Sequence, residues 1–193
     1  MSLVDRAKNI IVTPKTEWEV IANETPDTAG IFTGYVLPLA VLSAIASFIG
    51  WGFIGVGFSG ITWGIAYGVI SLLTTLISVG VTAFVVDALA PSFGSEKNLG
   101  RAMQLIGYGY TPALLGGLFN IVPVIGWLGS LLSLYGIYLM YLGFPHTMKT
   151  PQDKVVIYMV VTFIILMVVM FVLGLILTSV IFGVLGLSMF AGL

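Results

Sequence analysis

Five stretches of this 193-residue chain are each long and apolar enough to cross a lipid bilayer, and nothing else in the sequence limits the fold so severely. A helical crossing of a hydrocarbon core roughly 30 Å thick takes about 20 apolar residues. The runs at 31–56, 61–89, 102–121, 125–144 and 155–182 meet that length, and the last is followed by the uncharged tail GVLGLSMFAGL. Hydrocarbon offers no partner to a backbone N–H or C=O, so each run must be a helix that satisfies its own hydrogen bonds. Composition agrees: 59% of residues are hydrophobic and 8% charged, against about 25% charged in soluble domains. The expected fold is all-α: a polytopic membrane protein with five transmembrane helices in residues 30–193, preceded by a cytoplasmic amphipathic segment, residues 1–29. There are no cysteines, which excludes disulfides, thiolate metal sites and a cysteine nucleophile. No basic stripe points to nucleic acid.

Orientation follows from lysine and arginine, which favour the cytoplasmic side of a membrane. Arg6, Lys8 and Lys15 precede the first run, Lys97 and Arg101 lie between the second and third, and Lys149 and Lys154 lie between the fourth and fifth. The connections near GVGFSG and NIVPV and the C-terminal tail have none. All seven basic residues thus fall on one side of a five-span chain, with the N-terminus in the cytoplasm and the C-terminus outside.

The first thirty residues have alternating charges and no apolar core of signal-peptide type, so the mature chain is expected to start here. Within them Leu3, Val4, Ala7, Ile10 and Ile11 recur at helical spacing, with Asp5, Arg6 and Lys8 assigned to the opposite face. Thr13 reads as an N-cap with Pro14 at the first position of a second short helix through Trp18 and Ile21. Two placements fit these amphipathic helices: in the headgroup zone with Trp18 as interfacial anchor, or over the cytoplasmic end of the bundle.

Glycines recur with clear spacing. Gly60, Gly64 and Gly68 lie four residues apart, and Gly129, Gly136 and Gly143 seven apart, so each set marks one helix face. Such faces let helix backbones approach closely in lipid, where packing drives association. Packing within the chain is the first reading and a homo-oligomer contact the second.

No set of residues reads as catalytic, cofactor-binding or metal-binding. GFSG at 57–60 matches the Gly-x-Ser-Gly pattern that resembles a rhomboid-type protease nucleophile. Ser59 would need a nearby base, and the one histidine, His146, falls at the opposite side of the membrane by the charge argument. A metal site at His146 would lack partners; an interfacial hydrogen bond suits it better. Asp87 is the one ionisable residue within an apolar run, which by default marks a proton or ion site. Its place beside the cytoplasmic boundary also fits an anchor paired with water, Lys97 or Arg101.

The segment IGYGYTPALLGG contains Gly107-Tyr108-Gly109, the tripeptide of potassium-channel filters. Such a filter is a carbonyl-lined loop entered from a pore helix, whereas here the tripeptide opens an apolar run and Pro112 follows at once. Proline frees a backbone carbonyl and bends a helix. The expectation is a bent or unwound start to the third span, with Tyr108 and Tyr110 near the headgroups.

Three segments, VDRAKNIIVTPKTEWEVIANE at 4–24, SFGSEKNLGRAMQLIGYGYTPALLGGL at 92–118 and YLMYLGFPHTMKTPQDKVVIYMVV at 138–161, together resemble the Yip family, the Ypt/Rab-interacting membrane proteins, and particularly its prokaryotic branch. The resemblance spans essentially the whole chain. It implies five spans and a cytoplasmic N-terminus, and its glycine-tyrosine motif falls on Gly107, Tyr108, Gly109 and Pro112. A second motif of eukaryotic members, aspartate-leucine-tyrosine-glycine-proline, has no clear counterpart: Asp87-Ala88-Leu89-Ala90-Pro91 shares only the aspartate and proline. The expected function is therefore that of a non-enzymatic protein of the prokaryotic cytoplasmic (inner) membrane that organises the bilayer or binds partners, without cofactors. Its expected partners are the lipid bilayer, a second copy of the chain, or a protein at the cytoplasmic face. The alternative is a small ion or solute channel or transporter using Asp87 and the kinked third span.

Overall fold

The computed structural model of the protein describes residues 1–55 and 60–184, and among them every regular element is helical. Ser59 and the tail beyond residue 184, both singled out in the sequence, lie outside the described residues.

Helix α1, Leu3–Val12, opens on Ser2, whose hydroxyl accepts from the Asp5 N–H at 3.1 Å and meets one of the donors a helix start leaves free. Helix α2, Pro14–Asn23, has proline in its first turn as expected. Thr13 makes no side-chain cap, however; its hydroxyl donates back to the Asn9 carbonyl at 3.1 Å.

The first long helix, α3, runs over Thr28–Ile54 and is capped by Asp27, which accepts from Gly30 N–H at 2.9 Å. It contains two π turns, Phe32–Val36 and Gly50–Ile54. The first ends just before Pro38. A proline there has no N–H for the Gly34 carbonyl and would crowd it, and the wider turn, in which Leu37 bonds back to Phe32, relieves both problems.

Helix α4, Ile61–Leu89, continues into a tight 3-10 turn, Ala90–Phe93. Helix α5, Leu99–Gly109, starts at Asn98, whose side chain accepts from Arg101 N–H. After Tyr110 the chain bends into α6, Thr111–Gly116, and then into 3-10 turns at Gly117–Ile121 and Pro123–Ile125. Helix α7, Leu128–Thr147, and α8, Val155–Val184, complete the described chain.

Among the described residues, four helices are long and apolar enough to cross a membrane: Thr28–Ile54, Ile61–Phe93, Leu128–Thr147 and Gln152–Val184. The third apolar run of the sequence is not one of them, because it is divided into α5, α6 and 3-10 turns. The division has a local cause. Pro112 leaves the Tyr108 carbonyl without its helical partner. The Thr111 hydroxyl donates to that carbonyl at 2.6 Å instead.

Two of the glycine faces close contacts inside the chain. A Cβ on Gly116 would lie 2.7 Å from the Gly129 carbonyl, one on Gly136 3.0 Å from the Gly109 carbonyl, and one on Gly143 2.8 Å from the Trp18 ring. The seven-residue repeat of α7 is therefore the surface on which the broken third run and α2 pack. Gly64 and Gly68 do the same for α3, facing the Phe48 and Ala44 carbonyls. Gly60 departs from its expected role as a packing glycine. None of the described atoms lies within 4 Å of a Cβ placed there, and what calls for glycine is its φ of +135°.

Helices α1 and α2 contribute directly to the buried core. Ile10, Trp18, Ile21, Leu105, Met148 and Tyr158 are fully buried there in one core. Trp18 is thus no interfacial anchor: the missing side chain of Gly143 leaves room for its ring inside the bundle. The two N-terminal helices cover the end of the bundle.

Candidate functional site

Charged residues reach this core from the N-terminal helices. Arg6 lies between Leu3 and Ile10 at spacings of three and four, so it shares the apolar face of α1; the assignment of Arg6 to the opposite, solvent face does not hold. Glu17 falls on the stripe of α2 that also holds Trp18 and Ile21 and is buried, and Glu24 follows as the residue that ends the helix. One Arg6 guanidinium nitrogen meets Glu17 at 2.5 Å and the other bonds Glu24. A buried ion pair is stable only when both partners stay; removing one leaves an uncompensated charge.

The Arg6 guanidinium also stacks over the Tyr108 ring, 5.0 Å from its centre. Tyr108 in turn meets Tyr35 edge to face at 4.9 Å. The Tyr35 hydroxyl lies 2.6 Å from the Thr111 hydroxyl, whose proton is already given to the Tyr108 carbonyl. Tyr35 is therefore the donor. Arg101 closes the other side. It donates to the Ala22 and Glu24 carbonyls at 3.0 and 3.1 Å and to Gln104 at 2.9 Å, capping the end of α2. Beside this network opens a polar pocket of about 320 Å³ whose lining includes Arg6, Glu24, Asp27, Tyr35, Gln104 and Tyr108.

The bend therefore has two faces. Tyr108 points to Arg6, while the Tyr110 hydroxyl lies 3.1 Å from that of Thr82 on α4, toward the other side. Gly107 fits under Ile31 and Gly109 under Met140, each so close that a methyl group would collide. Asp87 is not gathered into this arrangement. Its expected pairing with Lys97 or Arg101 does not form: Arg101 is occupied as described, and one Asp87 carboxylate oxygen is buried without a hydrogen-bond partner among the described residues. Asp87 lines neither the polar pocket nor the apolar cavity described below. His146 is exposed, with Nδ1 2.8 Å from the Leu142 carbonyl of its own helix. In the loop before α5, Glu96 pairs with Lys149 at 2.6 Å, and that ammonium group holds the Glu96 carboxyl below the usual carboxylate range.

Sequence reasoning found Tyr108 and the bend but missed Arg6, Glu17, Glu24, Tyr35 and Thr111. For Arg6 and Glu17 the signal was present as charges on apolar stripes. For Tyr35 and Thr111, 76 residues apart, no local signal exists.

The Yip1 domain model matches residues 8–174. The chain belongs to the Yip1 family. Its curated relatives include inner membrane protein YohC from Escherichia coli strain K12, 30% identical over 152 residues, covering 73% of this chain and 77% of that protein. YohC from E. coli O6:H1 matches to the same extent. No solved structure gives a significant match. This Yip1-family chain is an integral protein of the inner membrane, and the matched region takes in the whole Arg6 network except Arg6 itself.

Proposed function

We propose that this Yip1-family protein crosses the membrane five times with its N-terminus in the cytoplasm, and acts without catalysis by binding a protein partner at the polar cytoplasmic pocket around Arg6. The observation that carries the reading is the pocket itself. A buried arginine held by two carboxylates and a tyrosine face, next to a helix end capped by Arg101, is a rigid polar surface at the end of an otherwise apolar bundle, which suits recognition by side chains. The other groups weighed for chemistry are scattered: Asp87, His146 and Tyr110 face different surroundings.

The fifth crossing is supported by the way the broken third run accompanies α3. Gly107 lies under Ile31, Gly117 against Ser43, and Gly50 against the Asn120 carbonyl. The run thus follows the first long helix from one end to the other. A chain free of cysteine makes this directly testable. Single cysteines at the exposed positions Lys97 and Val124 should be labelled by a membrane-impermeant thiol reagent from opposite sides; labelling from the same side would refute the fifth crossing. For the partner, a photo-crosslinking residue in place of Ser2 at the pocket rim should capture one discrete protein in intact cells, and Arg6→Gln should abolish the adduct. Adducts to lipid alone would overturn the reading.

A further inference from the structure

An apolar cavity of about 560 Å³ lies between α4, the bend, α7 and α8, away from the Arg6 pocket. That volume is in the range of small-ligand sites. Leu134 and Ile137 of α7 and Val160 and Phe163 of α8 line it and are also among the exposed large side chains. Its mouth therefore opens sideways, between two helices, and is continuous with their lipid-facing surface.

The polar groups in its wall separate cleanly. Thr82 and Tyr110 bond each other, and Ser133 donates to the Gly129 carbonyl at 3.2 Å. Thr162 is different. It is 6% exposed, and its hydroxyl has no hydrogen-bond partner among the described residues. Several other hydroxyls in the long helices bond the carbonyl four residues back, as Ser47 and Thr147 do at 3.0 Å. A buried hydroxyl left without a partner is costly and calls for a ligand that completes it.

The depth of the cavity limits what that ligand can be. Tyr135, between the lining residues Leu134 and Gly136, donates to the Ile11 carbonyl at the end of α1 at 2.8 Å. The cavity lies on the other side of α7 from that contact. Its Thr162 is eight residues beyond Lys154, about 12 Å along α8 from the charged end of that helix. At that level a bilayer changes from headgroup through glycerol esters to hydrocarbon.

We propose that this cavity binds one glycerophospholipid of the surrounding membrane, an acyl chain entering between α7 and α8 and an ester carbonyl accepting from Thr162. The site is separate from the partner pocket, and its test does not depend on that reading. The full chain, purified from membranes and washed in lipid-free mild detergent, should retain one phospholipid per chain in native mass spectrometry. Thr162→Val keeps the shape and removes the donor. It should lower retention about threefold to tenfold, the worth of one hydrogen bond. Ile137→Trp, at the exposed mouth where folding is not at stake, should block retention by bulk. Wild-type protein free of lipid after washing would overturn the proposal. So would equal retention by all three proteins, which would mean loosely associated boundary lipid, or a lipid-free homodimer closing the groove.

Discussion

Helices α5 and α8 are built on opposite terms. Of the eleven residues of α5, eight are buried, including Gln104 and Tyr108. Of the thirty residues of α8, almost all apolar, only Val155, Tyr158, Thr162 and Phe182 are buried. The more apolar helix is the less buried one. In water this would be inverted, because burial there follows hydrophobicity. In lipid the solvent is as apolar as leucine, so an apolar side chain gains little by moving inward. What draws α5 into the centre is close backbone approach at glycine and hydrogen bonding that lipid cannot supply.

The comparison yields a graded set of tests, read as unfolding midpoints of the purified protein in one detergent. Trp18→Ala should have the largest effect, a loss of about 3–5 kcal/mol as for a large aromatic removed from a tight core. Gly129→Leu should come next, at about 1–3 kcal/mol or loss of the folded species, because its side chain would run into the Gly116 backbone. On the lipid-facing side, Phe171 is 69% exposed, and Phe171→Ala should stay within about 0.5 kcal/mol of wild type. A cost equal to that of Trp18→Ala would break the contrast between the two helices and indicate an occupied interface on α8.

The smallest effect belongs to the exposed pair Glu96–Lys149. Because Lys149 lowers the folded-state pKa of Glu96, the unfolded chain binds more protons in the acidic range. The contribution is present above the unfolded carboxylate value of about 4.3 and fades as pH falls through the lower folded value. Glu96→Gln should therefore lower the midpoint slightly at pH 6 and match wild type at pH 2. A difference that persists at pH 2 would show that packing, not charge, is responsible.

How much was legible depended on the range of the interaction. The proline bend could be read because Pro112 acts on Tyr108, four residues away, by covalent geometry. The packing faces Gly64/Gly68 and Gly129/Gly136/Gly143 were visible as periodicity, although the partner of each face was not. Gly60 was misassigned because the same spacing arises from a backbone angle as from a packing face. Arg6 was misplaced, and Trp18 was left between two placements, for one shared reason. Charge and amphipathic aromatic character favour a headgroup position by default, and only partners distant in sequence, Glu17, Tyr108 and Gly143, make burial cheaper.

The sequence by itself determined that this chain is helical, apolar and embedded in a membrane, because backbone hydrogen bonding in hydrocarbon leaves no other choice for runs of that length. It also carried the family and the bend, both written in contiguous residues. Only the tertiary structure decided which helix is central, which charges are buried and where cavities open. Those outcomes depend on contacts between segments as far apart as Tyr35 and Thr111 or Ile11 and Tyr135, and in lipid no hydrophobic gradient marks in advance which side of a helix will face inward.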